Sequence, residues 1–572
     1  MIKYCLVFLA WFFSLFCGED EIVQRLYSHL LIRDYHSAIN ECKQALSFYP
    51  ESKNLKKIYI QALAKCGKDD EAMRCWKGLG LSDPLQDSHL LETVAWGIVT
   101  HFTRSSQLVV NMASLISAYR TDDVRAVAVL FDYLHSTNAS IRAIAAQFSP
   151  RYRDITLIDR LKQLLKEEKN WFVRLKVIEA LGIMDVKDVK ESLIEIVCHP
   201  RSIMEEKAAA ITSLMTICEE IHDRELFALI ESDRSELRYL ACQIVAHLNL
   251  STYSDAIAKL LDDPCADVRV VALNTLYFLG LKHLNLIYLR KIINLSFDSS
   301  PSVALTAAWI TSRFSPEIAL QVIKKHIHSS DGRVCRLAAF VLGKIGEVGC
   351  ALTKEVMSLA SDPYVKVNLS LGMMGQGRNV MYVMHELSTF LYHKEENVMW
   401  DRSDNPLFTI LAPSLVCHLP QIPQYPTMID HCVHLEILGK LVILRYPGSE
   451  QAIKNFLTHH VLGITYMASV MLLEEGGEGV IDVLRNLMKD PDQNVRIQAA
   501  LALAFAGEGD EAVCVLQEAY HTMDRNLKVH ILEALGYIGN ERSVSFLIDL
   551  LEEPHQVLKV MAASALIQCV YH

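Results

Sequence analysis

Hydrophobic positions recur along most of the chain in pairs of amphipathic helical segments. One such pair shows the pattern clearly: Val480-Ile481-Asp482-Val483-Leu484 opens the first segment, Asp490-Pro491 separates the two, and Gly507 follows the second. The apolar positions of the second segment are Val495, Ile497, Ala499, Ala500, Leu501, Leu503 and Ala504. This spacing predicts helices. Because such short helices cannot bury their apolar faces alone, it also predicts hairpins that stack on their neighbours.

The helical pairs repeat with a period of about 31 residues from about residue 108 onward. Each copy has an acidic or turn residue, then Val, Ile or Leu, then a cation at the start of the second helix. The cations of the clear copies are Arg142, Arg174, Arg238, Arg269, Arg496, Lys528 and Lys559. Weaker copies place at this position Lys207, Ala304, Cys335, Lys366, His434 and Thr465.

This unit resembles the short HEAT-like repeat associated with phycobilisome lyases, which is shorter than the ~40–47 residues of longer HEAT and armadillo units. The resemblance implies an all-α fold, an α-solenoid that forms a superhelix of helical hairpins. It also implies that the cation opening each inner helix bonds to an acidic group near the turn. Asp263, Asp490 and Glu553 each lie six positions before a cation. We therefore interpret the cations as a structural ladder rather than as a ligand-binding row.

Residues 19–100 carry a different repeat, with a period of 34 residues. That distance separates Ala38 from Ala72 and Pro50 from Pro84. A helix-turn-helix unit with small residues at the helix crossing and a terminal proline resembles the tetratricopeptide repeat. The resemblance implies two hairpins in which the alanines allow close helix approach and each proline ends the second helix.

Residues 1–18 have the pattern of an export signal: one lysine, an apolar run from Tyr4 to Phe16, and then an acidic stretch. The run is shorter than the ~20 residues that span a bilayer. We interpret the chain as a bacterial protein that is exported or associated with the cell envelope on its periplasmic side. The alternative is a cytoplasmic protein, because 15 cysteines without a CxxC pair suit a reducing compartment.

The repeats define a predicted domain order with one interruption. Residues 393–432 leave the period and contain several prolines together with Trp400, Phe408 and Tyr425. A loop of that length inside an array is usually functional or disordered, so the segment is either a partner-binding element or filler. The predicted segments are 1–18, export signal; 19–100, tetratricopeptide-like; 101–392, HEAT-like; 393–432, irregular; and 433–572, HEAT-like.

Charge and motifs exclude several kinds of chemistry. Lys and Arg total 56 against 67 Asp and Glu, a net charge of −11, which argues against nucleic-acid binding because phosphate contacts need a basic face. The chain has no phosphate-binding GxxxxGK[ST] motif. HEAT-like hydroxylases hold iron through several His-Glu dipeptides, whereas this sequence has one, His385-Glu386. We assign no catalytic residue, metal or cofactor.

The resulting prediction is a non-enzymatic scaffold or adaptor for protein–protein interaction. Its protein partner binds the concave face of the solenoid, with Trp400, Phe408 and Tyr425 as further candidate contacts. We predict no nucleic-acid partner and no membrane span beyond an N-terminal signal or anchor. Two alternatives stay open: a lyase-type enzyme or enzyme subunit that uses residues 393–432, and a secretion-associated chaperone.

Overall fold

The computed structural model describes residues 18–81, 83–217, 221–281, 285–375, 380–390, 441, 446–459, 479–507 and 509–571. Within these residues the regular elements are helices, and no strand occurs. The prediction of an all-α fold of stacked hairpins, an α-solenoid, is therefore confirmed. No helix in the described ranges combines the length and the hydropathy that a bilayer crossing requires. Residues 1–17 and 393–432 lie outside the description.

The α-helices are numbered in chain order. Those up to residue 137 are α1 (Glu19–Leu31), α2 (Tyr35–Phe48), α3 (Lys53–Lys65), α4 (Asp69–Lys77), α5 (Ser88–Phe102), α6 (Leu108–Arg120) and α7 (Ala126–Tyr133). The next are α8 (Ala139–Phe148), α9 (Ile155–Glu167), α10 (Trp171–Ile183), α11 (Lys190–Cys198), α12 (Met204–Ile217), α13 (Asp223–Ile230), α14 (Ser235–His247), α15 (Ser254–Lys259) and α16 (Ala266–Leu279).

The remaining helices continue the numbering along the chain. They are α17 (Leu286–Leu295), α18 (Pro301–Thr311), α19 (Pro316–Ile327), α20 (Gly332–Lys344), α21 (Cys350–Leu359), α22 (Pro363–Gly375), α23 (Val380–Phe390) and α24 (Ser449–His459). The C-terminal set is α25 (Gln493–Phe505), α26 (Val513–Tyr520), α27 (Arg525–Ile538), α28 (Val544–Leu550) and α29 (Gln556–Tyr571).

Short polar side chains start many of the inner helices. The Asn138 side chain accepts hydrogen bonds from two backbone N–H groups at the start of α8, and Asn170 does the same at α10. Asp331, Asp492 and Asp524 cap α20, α25 and α27, and each side chain accepts one backbone N–H hydrogen bond. Such caps satisfy backbone donors that have no partner within the helix. The turn residue of the repeat therefore also positions the inner helix.

The described residues divide into two units, which are considered separately. In the unit formed by residues 138–456, each inner helix packs against the inner helices of the neighbouring hairpins. This row comprises α8, α10, α12, α14, α16, α18, α20 and α22. Its helices approach closely at Gly182, where an added Cβ would lie 2.3 Å from Ser213 Oγ.

The other unit combines the two ends of the chain, residues 18–137 and 481–571. The last helix, α29, packs against α27 on one side and against α5 and α6 on another. Its apolar residues are buried all around the helix, as expected for a helix with partners on several sides. The fully or almost fully buried ones include Val560, Ala562, Ala563, Ala565, Leu566 and Ile567.

The predicted tetratricopeptide-like segment forms two hairpins, α1–α2 and α3–α4. Ala38 and Ala72 are completely buried, while the family assignment stays a prediction. The sequence predicted that Pro84 ends the second helix of its hairpin. In the structure this helix, α4, already ends at Lys77, and Pro84 starts a short 3-10 helix. A proline fits there because the first position of a helix needs no N–H donor. Helix α5 also runs across the boundary placed at residue 100.

Replacing Gly182 with alanine tests the close contact between inner helices. Because its Cβ would overlap the Ser213 side chain, Gly182→Ala should lower the free energy of unfolding by about 1–3 kcal/mol, the usual cost of overpacking. Gly332 is the matched control, since an added Cβ there meets nothing within 4 Å. Denaturant unfolding checks both, and equal midpoints for the two variants would contradict the close approach.

Candidate functional site

The predicted ladder cations in the unit of residues 138–456 form ion pairs between consecutive repeats. A cation near the start of one inner helix reaches a carboxylate in the turn, or the first helical turn, of the next inner helix. The pairs are Arg142–Glu168, Arg174–Glu206, Lys207–Glu236, Arg238–Asp263, Arg269–Asp298 and Arg336–Asp362. Most of these side chains are largely buried, so the pairs are more than surface contacts.

Each ion pair of the ladder is here called a rung. In the best-formed rungs the arginine also binds a backbone carbonyl. Arg269 Nη1 donates to the carbonyl oxygen of Asp263 at 2.7 Å, and its Nη2 donates to Asp298 Oδ1 at 2.8 Å. Arg238 Nη1 likewise donates to the carbonyl of Ser232 at 2.7 Å, and its Nη2 to Asp263 Oδ1 at 2.8 Å. The guanidinium therefore ties the turn of its own hairpin to the turn of the next one, a task suited to its fork of donors.

The acidic residue six positions before a cation has a different role from the one expected. The carboxylate of Asp263 is bound by Arg238 of the preceding repeat, whereas Arg269 takes only the carbonyl of Asp263. Arg496 shows the same relation, donating to the carbonyl of Asp490 at 2.8 Å. The six-residue spacing thus reflects backbone geometry. It places a carbonyl oxygen of the turn within hydrogen-bond distance of the arginine in the inner helix that follows.

The electrostatics agree with charged rather than neutral rungs. Burial alone would raise the pKa of Glu168, but hydrogen bonds from Arg142 and from the backbone N–H of Asn170 leave this pKa below its ordinary value. The pair is bidentate, with Arg142 Nε and Nη2 lying 2.8 and 3.0 Å from the two carboxylate oxygens. Such a pair is strongly directional.

One rung was assigned to the wrong residue by the sequence register. Cys335 occupies the predicted cation position, but its thiol donates to the carbonyl of Ile327, and the adjacent Arg336 forms the ion pair with Asp362. The separation of Arg336 and Asp362 equals that of Arg142 and Glu168, and this is the signal that would have identified Arg336. The weaker positions His434 and Thr465 lie outside the described residues.

In the unit formed by the chain ends, the remaining predicted cations have other partners. Lys528 Nζ lies 4.9 Å from the centroid of the Tyr520 ring. Lys559 Nζ donates to Asp70 Oδ1 at 2.8 Å. Together with Arg496, these cations are engaged within the fold. The predicted ladder cations of the described residues thus have partners within the chain, and their purely structural role stays a prediction.

Several exposed apolar side chains lie at the C-terminal ends of inner helices. Along α16 and α18 every residue is at least partly buried except Phe278, which is 48% exposed near the end of α16. Phe314 follows α18 and is 39% exposed, and Ile183 at the end of α10 is 58% exposed. The middle of α16 and of α18 thus offers little open surface. Exposed large side chains of the inner row lie at C-terminal ends such as these, and also at the start of α10, where Trp171 and Phe172 are 47% and 43% exposed.

The best-formed group of this kind is here named the aromatic edge: Tyr277, Phe278, Trp309, Arg313 and Phe314. The rings of Tyr277 and Trp309 lie 4.2 Å apart between centroids. The Arg313 guanidinium lies 5.1 Å from the Tyr277 ring centroid, a cation–π arrangement, and donates a hydrogen bond to the Tyr277 hydroxyl. Trp309 is almost fully buried and supports the exposed members.

The buried cysteines are poorly suited to nucleophilic chemistry. Burial raises the pKa of Cys42 to about 12 and that of Cys569 to about 12, and it raises the pKa of Cys242 further. A thiol reacts as its thiolate, so these three side chains act as small hydrophobic groups. Trp400, Phe408 and Tyr425, the candidate contacts from the sequence, lie outside the described residues.

Serial hairpins and an ion-paired inner row define an α-solenoid of helical repeats. Residues 127–215 match a family model described as HEAT repeats, and the stacking of inner helices continues after this span as far as α22. The chain is a HEAT-like repeat protein, as its sequence pattern predicted. No curated protein matches the chain.

Several solved structures are similar to the chain at low identity. The complex of CpcE and CpcF of phycocyanin lyase from Nostoc sp. PCC7120 shows 16% identity and a TM-score of 0.26, covering 40% of this chain and 93% of that chain. The karyopherin Kap121p bound to the SUMO protease Ulp1p shows 11% identity and a TM-score of 0.32, covering 96% and 86%. The myosin chaperone UNC-45 from C. elegans in complex with a Hsp90 peptide shows 13% and 0.30, covering 93% and 74%. None of these likenesses identifies a function.

Removing one partner of a buried rung should cost far more than removing a surface pair. Asp263 is 2% exposed and Arg238 12% exposed at their side chains, so Arg238→Ala leaves a buried carboxylate without its cation. The free energy of unfolding should fall by about 3–5 kcal/mol.

Lys162→Ala is the matched control, because Lys162 pairs with an Asp188 side chain that is 64% exposed. That change should cost at most about 1 kcal/mol. Denaturant unfolding followed by circular dichroism measures both variants, and a loss at Arg238 no larger than at Lys162 would show that the rung contributes little.

Proposed function

We propose that the protein is a non-enzymatic interaction scaffold whose aromatic edge binds a segment of a protein partner. The observation that carries this proposal is the distribution of charged and aromatic side chains on the inner helices α14, α16 and α18. Their N-terminal cations are engaged by internal carboxylates, whereas Phe278 and Phe314 at the C-terminal ends stay exposed. The proposed site therefore lies along the ends of the inner helices rather than across their middle.

The composition of the aromatic edge suits a protein interface. Tyrosine, tryptophan, phenylalanine and arginine are enriched in interfaces, and tyrosine, tryptophan and arginine often dominate the binding energy when they sit on a well-packed support. Tyr277 and Trp309 contact each other beneath Arg313, so little side-chain freedom remains to be lost on binding. The matching partner segment carries an apolar anchor for the two phenylalanine rings.

The enzymatic alternative rests on residues 393–432, which lie outside the described ranges, and no described group favours it. The export signal in residues 1–18 likewise stays a prediction. Binding through the aromatic edge is compatible with either compartment, so the location of the protein does not decide the proposal.

The double variant Phe278→Ala/Phe314→Ala tests the binding site. It removes both exposed rings and should weaken partner binding at least about tenfold, since loss of an interface hot spot costs more than about 1 kcal/mol. Affinity capture with the full chain identifies the partner, and titration of that partner measures the affinity. Because Phe278 and Phe314 are also partly buried, the unfolding midpoint should fall, so binding is titrated under conditions in which circular dichroism shows that the double variant is folded.

The matched control is Leu286→Ala/Ile287→Ala on the outer helix α17, where the two side chains are 71% and 68% exposed. This control should bind the partner as the unchanged chain does. A second comparison replaces Trp400, Phe408 and Tyr425 with alanine. Loss of binding in that variant, with full binding in the phenylalanine variant, would transfer the site to residues 393–432 and refute the aromatic edge.

A further inference from the structure

We propose that the N-terminal helices α4, α5 and α6 serve as the repeat that follows α29, so that the two ends of one chain form a latch. Here the latch means the contact of α29 with these three helices. The face of α5 and α6 is then a docking surface, and its occupant is residues Gln556–Tyr571 of the same chain. This inference is independent of the binding site proposed above.

The apolar pattern of α29 requires such an occupant. A terminal repeat of a solenoid normally has a polar outer face, because no further repeat covers it. In α29, by contrast, every residue from Val560 to Ile567 is buried, and all of them except Ser564 are apolar. Helix α27 covers one side, and α5 and α6 cover another. The N-terminal helices α5 and α6 therefore supply the cover of this second apolar side.

Hydrogen bonds to backbone groups fix the position of α29 on α6. Ser564 Oγ donates to the carbonyl oxygen of Ser117 at 2.9 Å. Gln568 Nε2 donates to the carbonyl oxygen of Arg120 at 2.9 Å. Arg120 is the last residue of α6, where carbonyl groups lack partners within the helix. Side chains of α29 therefore bind carbonyl groups at the C-terminal end of α6. These hydrogen bonds fix the position of α29 along α6, in addition to the apolar contact between the two helices.

The ladder continues across the latch. Lys559 occupies the same repeat position as Arg238 and Arg269, but its carboxylate partner, Asp70, comes from the first turn of α4. The hydrogen bond from Lys559 lowers the pKa of Asp70 below its ordinary value. The N-terminal segment thus supplies the acid that the next repeat supplies elsewhere in the array.

Further charged groups pair across the two ends. Arg120 of α6 pairs with Glu533 of α27. Glu92 of α5, whose side chain is 7% exposed, accepts a hydrogen bond from the Tyr571 hydroxyl and pairs with Arg125. Separating the ends would remove Arg120 from Glu533 and the Tyr571 hydroxyl from Glu92, while Glu92 would keep its pair with Arg125. The loss is costly because a buried carboxylate needs its partners. Apolar burial therefore provides attraction, while the reciprocal charges specify which helix docks.

Amide hydrogen exchange on the full chain tests the latch. Lys559→Glu places a second negative charge beside Asp70 and should raise exchange in α4, α5 and α6 at least tenfold, although these helices are far away in sequence. Adding Asp70→Lys reverses the pair and should restore protection. Lys528→Glu is the matched control, because Lys528 lies over Tyr520 and outside the latch; it should leave α4–α6 protected.

A variant that ends at residue 555 provides a second measurement. Removing α29 should deprotect α5 and α6 while α10, in the other unit, keeps its protection. Unchanged exchange in α5 and α6 after both changes would overturn the proposal. So would a sedimentation mass showing that the unchanged chain is a dimer which dissociates when α29 is removed, because α29 would then dock on a second copy.

Discussion

A helix of ten to fourteen residues cannot bury its own apolar face, and this constraint governs the whole protein. Each inner helix covers its neighbours on both sides, so stability depends on serial contact rather than on one central core. Small residues set how close that contact is. Gly182 faces Ser213 between α10 and α12, and Gly536 faces Ala565 between α27 and α29. Similar close approaches thus occur within both units.

The charged rungs add register to a stack that apolar contact alone would leave underdetermined. Alanine- and leucine-rich faces tolerate sliding, whereas a bidentate arginine requires one position of the next turn. Arg238 and Arg269 each join a carbonyl of their own hairpin to a carboxylate of the following one. Because the cation and the carboxylate of each of these rungs belong to consecutive repeats of the chain, the ladder stabilises the stacking of the repeats.

The end of a repeat array is a physical problem, because the last unit has one apolar side without a neighbour. Many arrays solve it with a polar capping repeat. Here α29 is apolar on several sides, and helices from the start of the chain cover it. Lys559 and Asp70 then form a ladder-like pair between α29 and the start of α4. The same rules of apolar burial and paired charge that order the repeats therefore also join the ends.

The sequence by itself determined the helices, the hairpin period and the position of most ladder cations, because caps and apolar spacing are encoded within each repeat. Tertiary structure decided which carboxylate each cation binds: Asp263 serves Arg238, although Arg269 is nearer along the chain. The tertiary structure also shows that Arg336, rather than the predicted Cys335, forms one rung, and that α29 packs against α5 and α6. The choice of Arg238 by Asp263 and the packing of α29 on α5 and α6 depend on which segments become neighbours in space, and the spacing of residues within one repeat does not encode this. The Arg336 rung, by contrast, could have been found from its separation from Asp362.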